Sequence, residues 1–280
     1  MIEIGKYNEL EYKRKTVAGL ILGDEYEEVL LPFNYSPKNV EPGDTLRVFV
    51  YLHQDGRVVA TTQTPFASAE EFAYLKVIEV TDIGAFMDLG IDKDLFVPKS
   101  EQKRPMHISE RHVVYVYVDE RNNRLLGSSK LTNYVEVEDF DVAVGDEVDL
   151  LISDQSELGY SAIINQKYMG LLYRNELYEK LEIGERRKGY IKKIREENLI
   201  DLSLQPQGYK HILDTKDALL NKLEENNGRL DLGDKSSPDE IYKKLNISKK
   251  AFKKTIGGLY KDRLVEIGDY EIKLIKEKNN

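Results

Sequence analysis

Cysteine is absent from all 280 residues. Its absence excludes disulfides, thiolate metal ligands and a cysteine nucleophile together, and it suits a cytoplasmic chain. No apolar run approaches the ~18 residues that a membrane helix needs, so no membrane span is expected. The opening Met1-Ile2-Glu3-Ile4-Gly5-Lys6 has no basic segment leading into an apolar run, so no secretory signal is expected either. Histidine is scarce: His53, His107, His112 and His211 are the four. His107 and His112 stand five apart with no third ligand at a recognisable spacing, so no metal is expected. There is no Gly-x-Ser-x-Gly elbow, no Walker loop and no dinucleotide fingerprint. The acidic pairs Glu70-Glu71 and Glu224-Glu225 read as surface charge. The chain reads as non-enzymatic and without a cofactor.

What is present is apolar material for packed cores, at 41% hydrophobic residues, and a strong charge asymmetry. Lys+Arg number 41 and Asp+Glu 50, a net of −9. Residues 207–280 hold 16 Lys+Arg against 13 Asp+Glu, a net of +3, which leaves −12 for residues 1–206. The C-terminal quarter therefore reads as a separate domain.

Three segments share an ending: Arg57-Val58-Val59-Ala60-Thr61, Arg124-Leu125-Leu126-Gly127-Ser128 and Leu199-Ile200-Asp201-Leu202-Ser203. Val58, Leu125 and Leu199 correspond, at spacings of 67 and 74 residues. Each ending follows an alternating apolar run, at Leu46–Leu52, Val113–Val118 and Gly189–Ile194. In the second and third units a glycine, Gly84 or Gly159, precedes Pro98 or Tyr173 by 14. Short strands with period-2 alternation and no long helices predict small closed barrels. Strand parity puts Ala85, Met87 and Leu89 inside and Phe86 outside with Asp88. Val114, Val116 and Val118 face in, whereas Tyr115, Tyr117 and Asp119 face out. Phe86 then either stacks a nucleic-acid base or closes a second small apolar cluster. Arg186, Arg187, Lys188, Tyr190, Lys192 and Lys193 form either a phosphate track beside a stacking ring or a solvated strand face.

Beyond residue 206 the period changes. Ile212, Ala218, Leu219, Leu220 and Leu223 predict a first helix capped near Asp214 or Thr215. Leu230 and Leu232 suggest a short strand. Ser237-Pro238-Asp239-Glu240 opens a second helix, and Ser248 caps a third, with Phe252, Ile256 and Leu259 as its inner face. Val265–Ile267 and Tyr270–Ile275 flank a Gly268-Asp269 turn. That order is a winged helix-turn-helix. The third helix carries Lys249, Lys250, Lys253, Lys254 and Lys261 and no acid. It is either a phosphate-binding face or a solvated, protein-docking one. Arginine, asparagine and glutamine are missing from it, so backbone contact is expected rather than base readout.

The units resemble the OB-fold RNA-binding domain named after the ribosomal small-subunit protein S-one. Asp82-Ile83-Gly84-Ala85-Phe86 matches its Gly-Ala-Phe strand, with Ile83 in place of the first aromatic. Phe96-Val97-Pro98-Lys99-Ser100-Glu101 matches the next segment, with Pro98 where a histidine stands. Asp119 and Arg124 match the last two binding positions. In the third unit Ser161, Tyr173 and Leu199 replace the aromatic, the histidine and the arginine. The first unit keeps Leu30-Leu31-Pro32 and Asp55-Gly56-Arg57, but its Gly-Ala-Phe strand is not recognisable. With stretches such as Tyr74-Leu75-Lys76-Val77 and Met169-Gly170-Leu171-Leu172-Tyr173, the whole resembles the conserved virulence factor B family of low-GC Gram-positive bacteria.

The expected fold is mainly β with an α+β C-terminal domain: three tandem five-stranded OB-fold barrels, then a winged helix-turn-helix. The expected domains are 1–65, 70–132, 140–206 and 207–280. The resemblance implies a cytoplasmic RNA-binding regulator of gene expression, including virulence factors in pathogens. The expected partner is single-stranded RNA, met by the aromatics, Asp119, Arg124, the basic run and the helix lysines named above. The alternatives are a DNA-binding regulator acting through the winged helix, and a protein-docking adaptor with vestigial barrels.

Overall fold

A computed structural model describes residues 1–177, 179–206 and 209–275, with side chains in the first helix described from Lys216 onward. Three closed five-stranded barrels precede a C-terminal domain of three helices and a small three-stranded sheet. The first barrel comprises β1 (Tyr7–Lys15), β2 (Gly19–Gly23), β3 (Glu28–Pro32), β4 (Thr45–Leu52) and β5 (Val58–Thr61). The second comprises β6 (Glu71–Val80), β7 (Gly84–Met87), β8 (Leu95–Pro98), β9 (Arg111–Asp119) and β10 (Arg124–Ser128). The third comprises β11 (Glu147–Gln155), β12 (Gly159–Ile164), β13 (Tyr168–Tyr173), β14 (Arg186–Ile194) and β15 (Ile200–Ser203). Each closes in the same order, first-second-third-fifth-fourth, with the third and fifth strands parallel. The first strand of each is bulged, at Tyr12/Arg14, Val77/Glu79 and Ile152/Asp154, which adds the bend that closure requires.

The chain falls into two compact units, 1–136 with 166–168, and 137–165 with 169–280. In the first unit, β4 serves two cores. Val48 and Val50 face into the first barrel with Leu10, Leu20, Leu22 and Leu31. Phe49 and Tyr51, one residue out of phase, join the core of the second barrel with Ala69, Leu75, Met87 and Leu125. In the second unit the third barrel buries Val148, Leu150, Ile152, Ala162, Leu172, Ile191 and Leu202.

The second strand of every barrel starts on a glycine for one reason. A Cβ on Gly19, Gly84 or Gly159 would overlap the carbonyl oxygen of Leu31, Val97 or Leu172 on the next strand. The first unit's unrecognised Gly-Ala-Phe strand is thus Gly19-Leu20-Ile21. The signal was the glycine itself, thirteen residues before Pro32 with which it pairs.

The C-terminal domain comprises α1 (Tyr209–Glu225), β16 (Arg229–Leu230), α2 (Pro238–Leu245), α3 (Lys249–Lys261), β17 (Val265–Ile267) and β18 (Ile272–Leu274). A capping box opens α2: the Glu240 N–H donates to Ser237 Oγ at 3.2 Å, and the Ser237 N–H donates to the Glu240 carboxylate at 2.8 Å. Asn246, left-handed at φ 54°, ends α2 and starts the turn. Ser248 caps α3 through the Ala251 N–H at 3.1 Å. Phe252, Ile256 and Leu259 pack on Leu219, Leu223, Ile241 and Ile272, as the periodicity predicts. Two details differ. The first helix begins at Tyr209, ahead of the cap expected near Asp214 or Thr215, and Ala218 is exposed. The Ile212 and His211 side chains lie outside the described residues.

Replacing Gly159 with alanine forces a methyl group into the Leu172 carbonyl. We expect Gly159→Ala to destabilise the third barrel by at least ~2 kcal/mol, read from denaturant midpoints. An unchanged midpoint would show that the two strands can part without cost.

Candidate nucleic-acid interface

The outward face of each barrel repeats one row of cross-strand partners, and the three rows differ in chemistry. In the second barrel Phe86 pairs with Phe96, Phe96 with Leu126, and Leu126 with Tyr117. The Phe86 and Phe96 rings lie 4.9 Å apart and are both half-buried, so each keeps surface toward solvent. One residue row further on stand exposed Arg124 and its cross-strand partner Asp119. Asp119 is occupied locally, accepting from the Arg121 N–H at 3.1 Å and from Asn122 Nδ2 at 2.9 Å. Half-buried Lys93 lies close enough to feel Arg124: burial first, then that like charge, holds its ammonium below the usual range. Burial, then the charge of Asp88, pushes the Asp94 carboxyl up, with Lys93 opposing.

Tyr115 and Tyr117 point outward as parity predicts, yet neither ring is bare. Tyr134 from the segment after β10 stacks on both, at 4.5 Å and 24° to Tyr115 and 5.4 Å and 27° to Tyr117. The Phe72 ring also lies against Tyr115, at 4.8 Å. The sequence offered no sign of this, because Tyr134 lies outside the strand repeat. The open part of the row is therefore Phe86–Phe96–Leu126.

The corresponding row of the first barrel is Ile21–Leu30–Val59–Tyr51. Val59 and Tyr51 are 6% and 2% exposed and belong to the core shared with the second barrel, so that end of the row is closed, while Ile21 and Leu30 are half-buried and aliphatic. In the third barrel Leu171 pairs with Asp201 and Asp201 with Lys193. Asp201, 7% exposed, takes Arg195 Nε at 3.0 and 3.1 Å on its two oxygens. Arg195 also donates to the Tyr173 hydroxyl and sits over that ring at 5.8 Å. Tyr173 thus has its own cation for a neighbour, and Ser161 takes the place of Phe86.

The basic run on β14 is largely matched by carboxylates. Arg187 bridges Glu179 at 2.8 Å and Glu185 at 3.1 Å, and Tyr242 of α2 donates to Glu179 at 3.0 Å. Arg187 is thereby part of the seam between the third barrel and α2. Lys188 meets Asp149 at 2.9 Å, Lys192 meets Glu176, and the Tyr190 hydroxyl donates to Glu147 at 2.9 Å. Arg186 is exposed and has interactions of its own, and Lys193 is exposed. On α3, Lys250, Lys253 and Lys254 are exposed and Lys249 half-buried, with Lys253 held by Asp234 at 3.0 Å. The histidines do not assemble: buried His112 and exposed His107 both bond Glu110. Among the described residues no group of three or more His, Cys, Asp or Glu could hold a metal ion. No described helix is long and apolar enough to cross a membrane.

A protein that repeats one OB-type barrel three times and ends in a winged helix belongs to a class built from nucleic-acid-binding, non-catalytic domains. The S1 domain family matches residues 4–63 and 71–128, the first two barrels, and the CvfB-like winged helix domain matches residues 217–274. The chain thus joins S1 domains to a CvfB-like winged helix domain. The YitL protein of Bacillus subtilis is 27% identical over 92% of this chain and 89% of its own. Conserved virulence factor B of Staphylococcus epidermidis is 27% identical over 85% of this chain and 82% of its own. A solved multidomain protein with nucleic acid binding domains from Streptococcus pneumoniae covers 97% of this chain and 98% of its own at 22% identity, with a TM-score of 0.42.

The tyrosine stack gives a test of its geometry. Burial first, then Glu70, raises the Tyr115 phenol; burial first, then Tyr134, raises Tyr117; burial first, then Glu101, raises Tyr134. A raised phenol favours its neutral form in the fold. Its contribution is present in full below about pH 10, the ordinary phenol value, and is lost as pH climbs through the raised values. Stability should therefore fall above about pH 10, and Tyr117→Phe, which keeps the ring, should flatten that fall. Identical alkaline profiles for wild type and variant would place Tyr117 outside the stack's electrostatics.

Proposed function

We propose that this chain is a cytoplasmic, non-enzymatic regulator of gene expression that binds single-stranded RNA, with virulence factors among the controlled products in pathogens. The observation that carries this reading is the row Phe86–Phe96–Leu126. It is the one outward row of the three with half-open aromatic rings, and it is flanked by Arg124 and Lys93. Bases stack on such rings whatever their sequence, since every base has a π-face, while the neighbouring cations meet phosphate. Arg186, Lys193 and the α3 lysines extend the contact to further phosphates. Half-buried Tyr173 and Tyr190, whose hydroxyls are engaged by Arg195 and Glu147, contribute rings at the margins. The net −12 on residues 1–206 opposes a polyanion at long range. Screening over about 8 Å at physiological salt leaves the local cations in control.

Two measurements test this. Phe86→Ala should weaken binding to a short unstructured RNA by about 1–3 kcal/mol in fluorescence anisotropy, with little change in melting temperature. A large drop in melting temperature with unchanged affinity would make Phe86–Phe96 a structural cluster instead. Changing Lys249, Lys250, Lys253 and Lys254 together to Gln should weaken binding equally for all sequences. It should also flatten the log–log salt dependence by up to ~0.7 per lost single-strand phosphate contact. Parallel slopes would remove these lysines from the interface. The basic α3 in a winged helix supports a second reading, duplex DNA binding, which competition between duplex DNA and single-stranded RNA decides.

A further inference from the structure

Helix α3 has two adjacent glycines, and only one of them has a described neighbour. A Cβ on Gly258 would run into the side chain of Lys216 on α1, which is itself tied to Asp262 at 2.5 Å. Gly258 thus abuts α1 through the flexible end of that lysine. A Cβ on Gly257 would meet nothing within 4 Å. Both lie in regular helix, where glycine is the poorest former after proline, so alanine would serve the fold better at Gly257. No contact among the described residues accounts for a glycine there.

The surroundings of Gly257 supply the missing constraint. At about 100° per residue, Lys250, Lys253, Lys254, Tyr260 and Lys261 all fall within about 60° of it around the helix axis. Phe252, Ile256 and Leu259 are buried away from that face. The five flanking side chains are exposed, Tyr260 at 60%. Lys253 is paired with Asp234; Lys250, Lys254 and Lys261 have no ion pair among the described residues. The face is thus a shallow floor of bare backbone inside a frame of four ammonium groups and a phenol ring. A glycine at an open site lets another backbone come closer than any side chain would permit. The frame is complementary to a polyanion.

We propose that Gly257 is the floor of a sugar-phosphate binding site on α3, where a nucleic-acid backbone lies against the helix and Lys250, Lys254 and Lys261 grip its phosphates. This rests on the reading that the chain binds nucleic acid, and adds where and how α3 takes part. Lysine and bare peptide carry no base code, so the site is indifferent to sequence.

The experiment uses the full chain with Gly257→Ala, Gly257→Gln and Phe86→Ala. Each is titrated at several salt concentrations with a labelled unstructured RNA, single-stranded DNA of the same sequence, and a duplex. Gly257→Ala should hold or raise the melting temperature by a few degrees and weaken binding several-fold. Gly257→Gln should weaken it about tenfold or more, by the same factor for every sequence. Neither variant removes a charge, so both should keep the wild-type salt slope, unlike a lysine variant. The three probes tell which backbone the floor accepts. If the wild type binds, loses affinity with Phe86→Ala and is indifferent to both Gly257 variants, this site is overturned while RNA binding stands. A fall in melting temperature on Gly257→Ala also overturns it, since the glycine would then serve packing. A wild type that binds none of the three probes overturns both proposals.

Discussion

Every strand of these barrels has two faces and one of them is always spoken for. Closure of five short strands demands a filled interior, so alternate residues are committed to Val, Leu, Ile and Ala whatever else the domain does. The same period-2 constraint makes the remaining residues a free set, and what occupies that set decides the role of each barrel. In β4 the free set is Phe49 and Tyr51, and it is spent on the neighbouring barrel's core. In the second barrel it is Phe86, Phe96, Leu126 and Tyr117, left partly open. In the third it is a buried aspartate with its arginine and tyrosine.

This division explains why three copies of one fold are not three copies of one site. Asp201 is a buried charge that would be costly alone, and the partly exposed Arg195 that relieves it also bonds the Tyr173 hydroxyl. On β14 the same logic applies to a run of cations. Their charges are matched at close range by Glu179, Glu185, Asp149 and Glu176, so little of the run's field is left for a distant phosphate. The α3 face differs because its helix contains no acid, and the carboxylate that reaches it, Asp234, meets Lys253 alone.

The C-terminal domain is held by local and long-range terms together. A capping box and a left-handed Asn246 set where α2 starts and stops, and Ser248 sets where α3 starts; Phe252, Ile256 and Leu259 then fix which side of α3 faces outward. That orientation is what gives Gly257 its open sky and Gly258 its neighbour, though the two residues are adjacent in the chain.

The barrels, their order and the winged helix were legible in the residues. Alternation at Leu46–Leu52, Val113–Val118 and Gly189–Ile194, the recurring glycines, and the Ser237 and Ser248 caps are local signals, and local signals survive in one dimension. The outward parity of Phe86, Tyr115 and Tyr117 was legible too. Three things were not. Tyr134 stacks on tyrosines of a strand that ended well before it. The Val59–Tyr51 end of the first barrel's row is closed by a domain further along the chain. Arg187 is drawn into a seam with Glu179 and Tyr242. The sequence by itself determined which side chains leave the barrel surface, because strand pleat is a property of consecutive residues. Only the tertiary structure decided which of them still meet solvent, because covering a face takes partners whose separation along the chain carries no periodic trace.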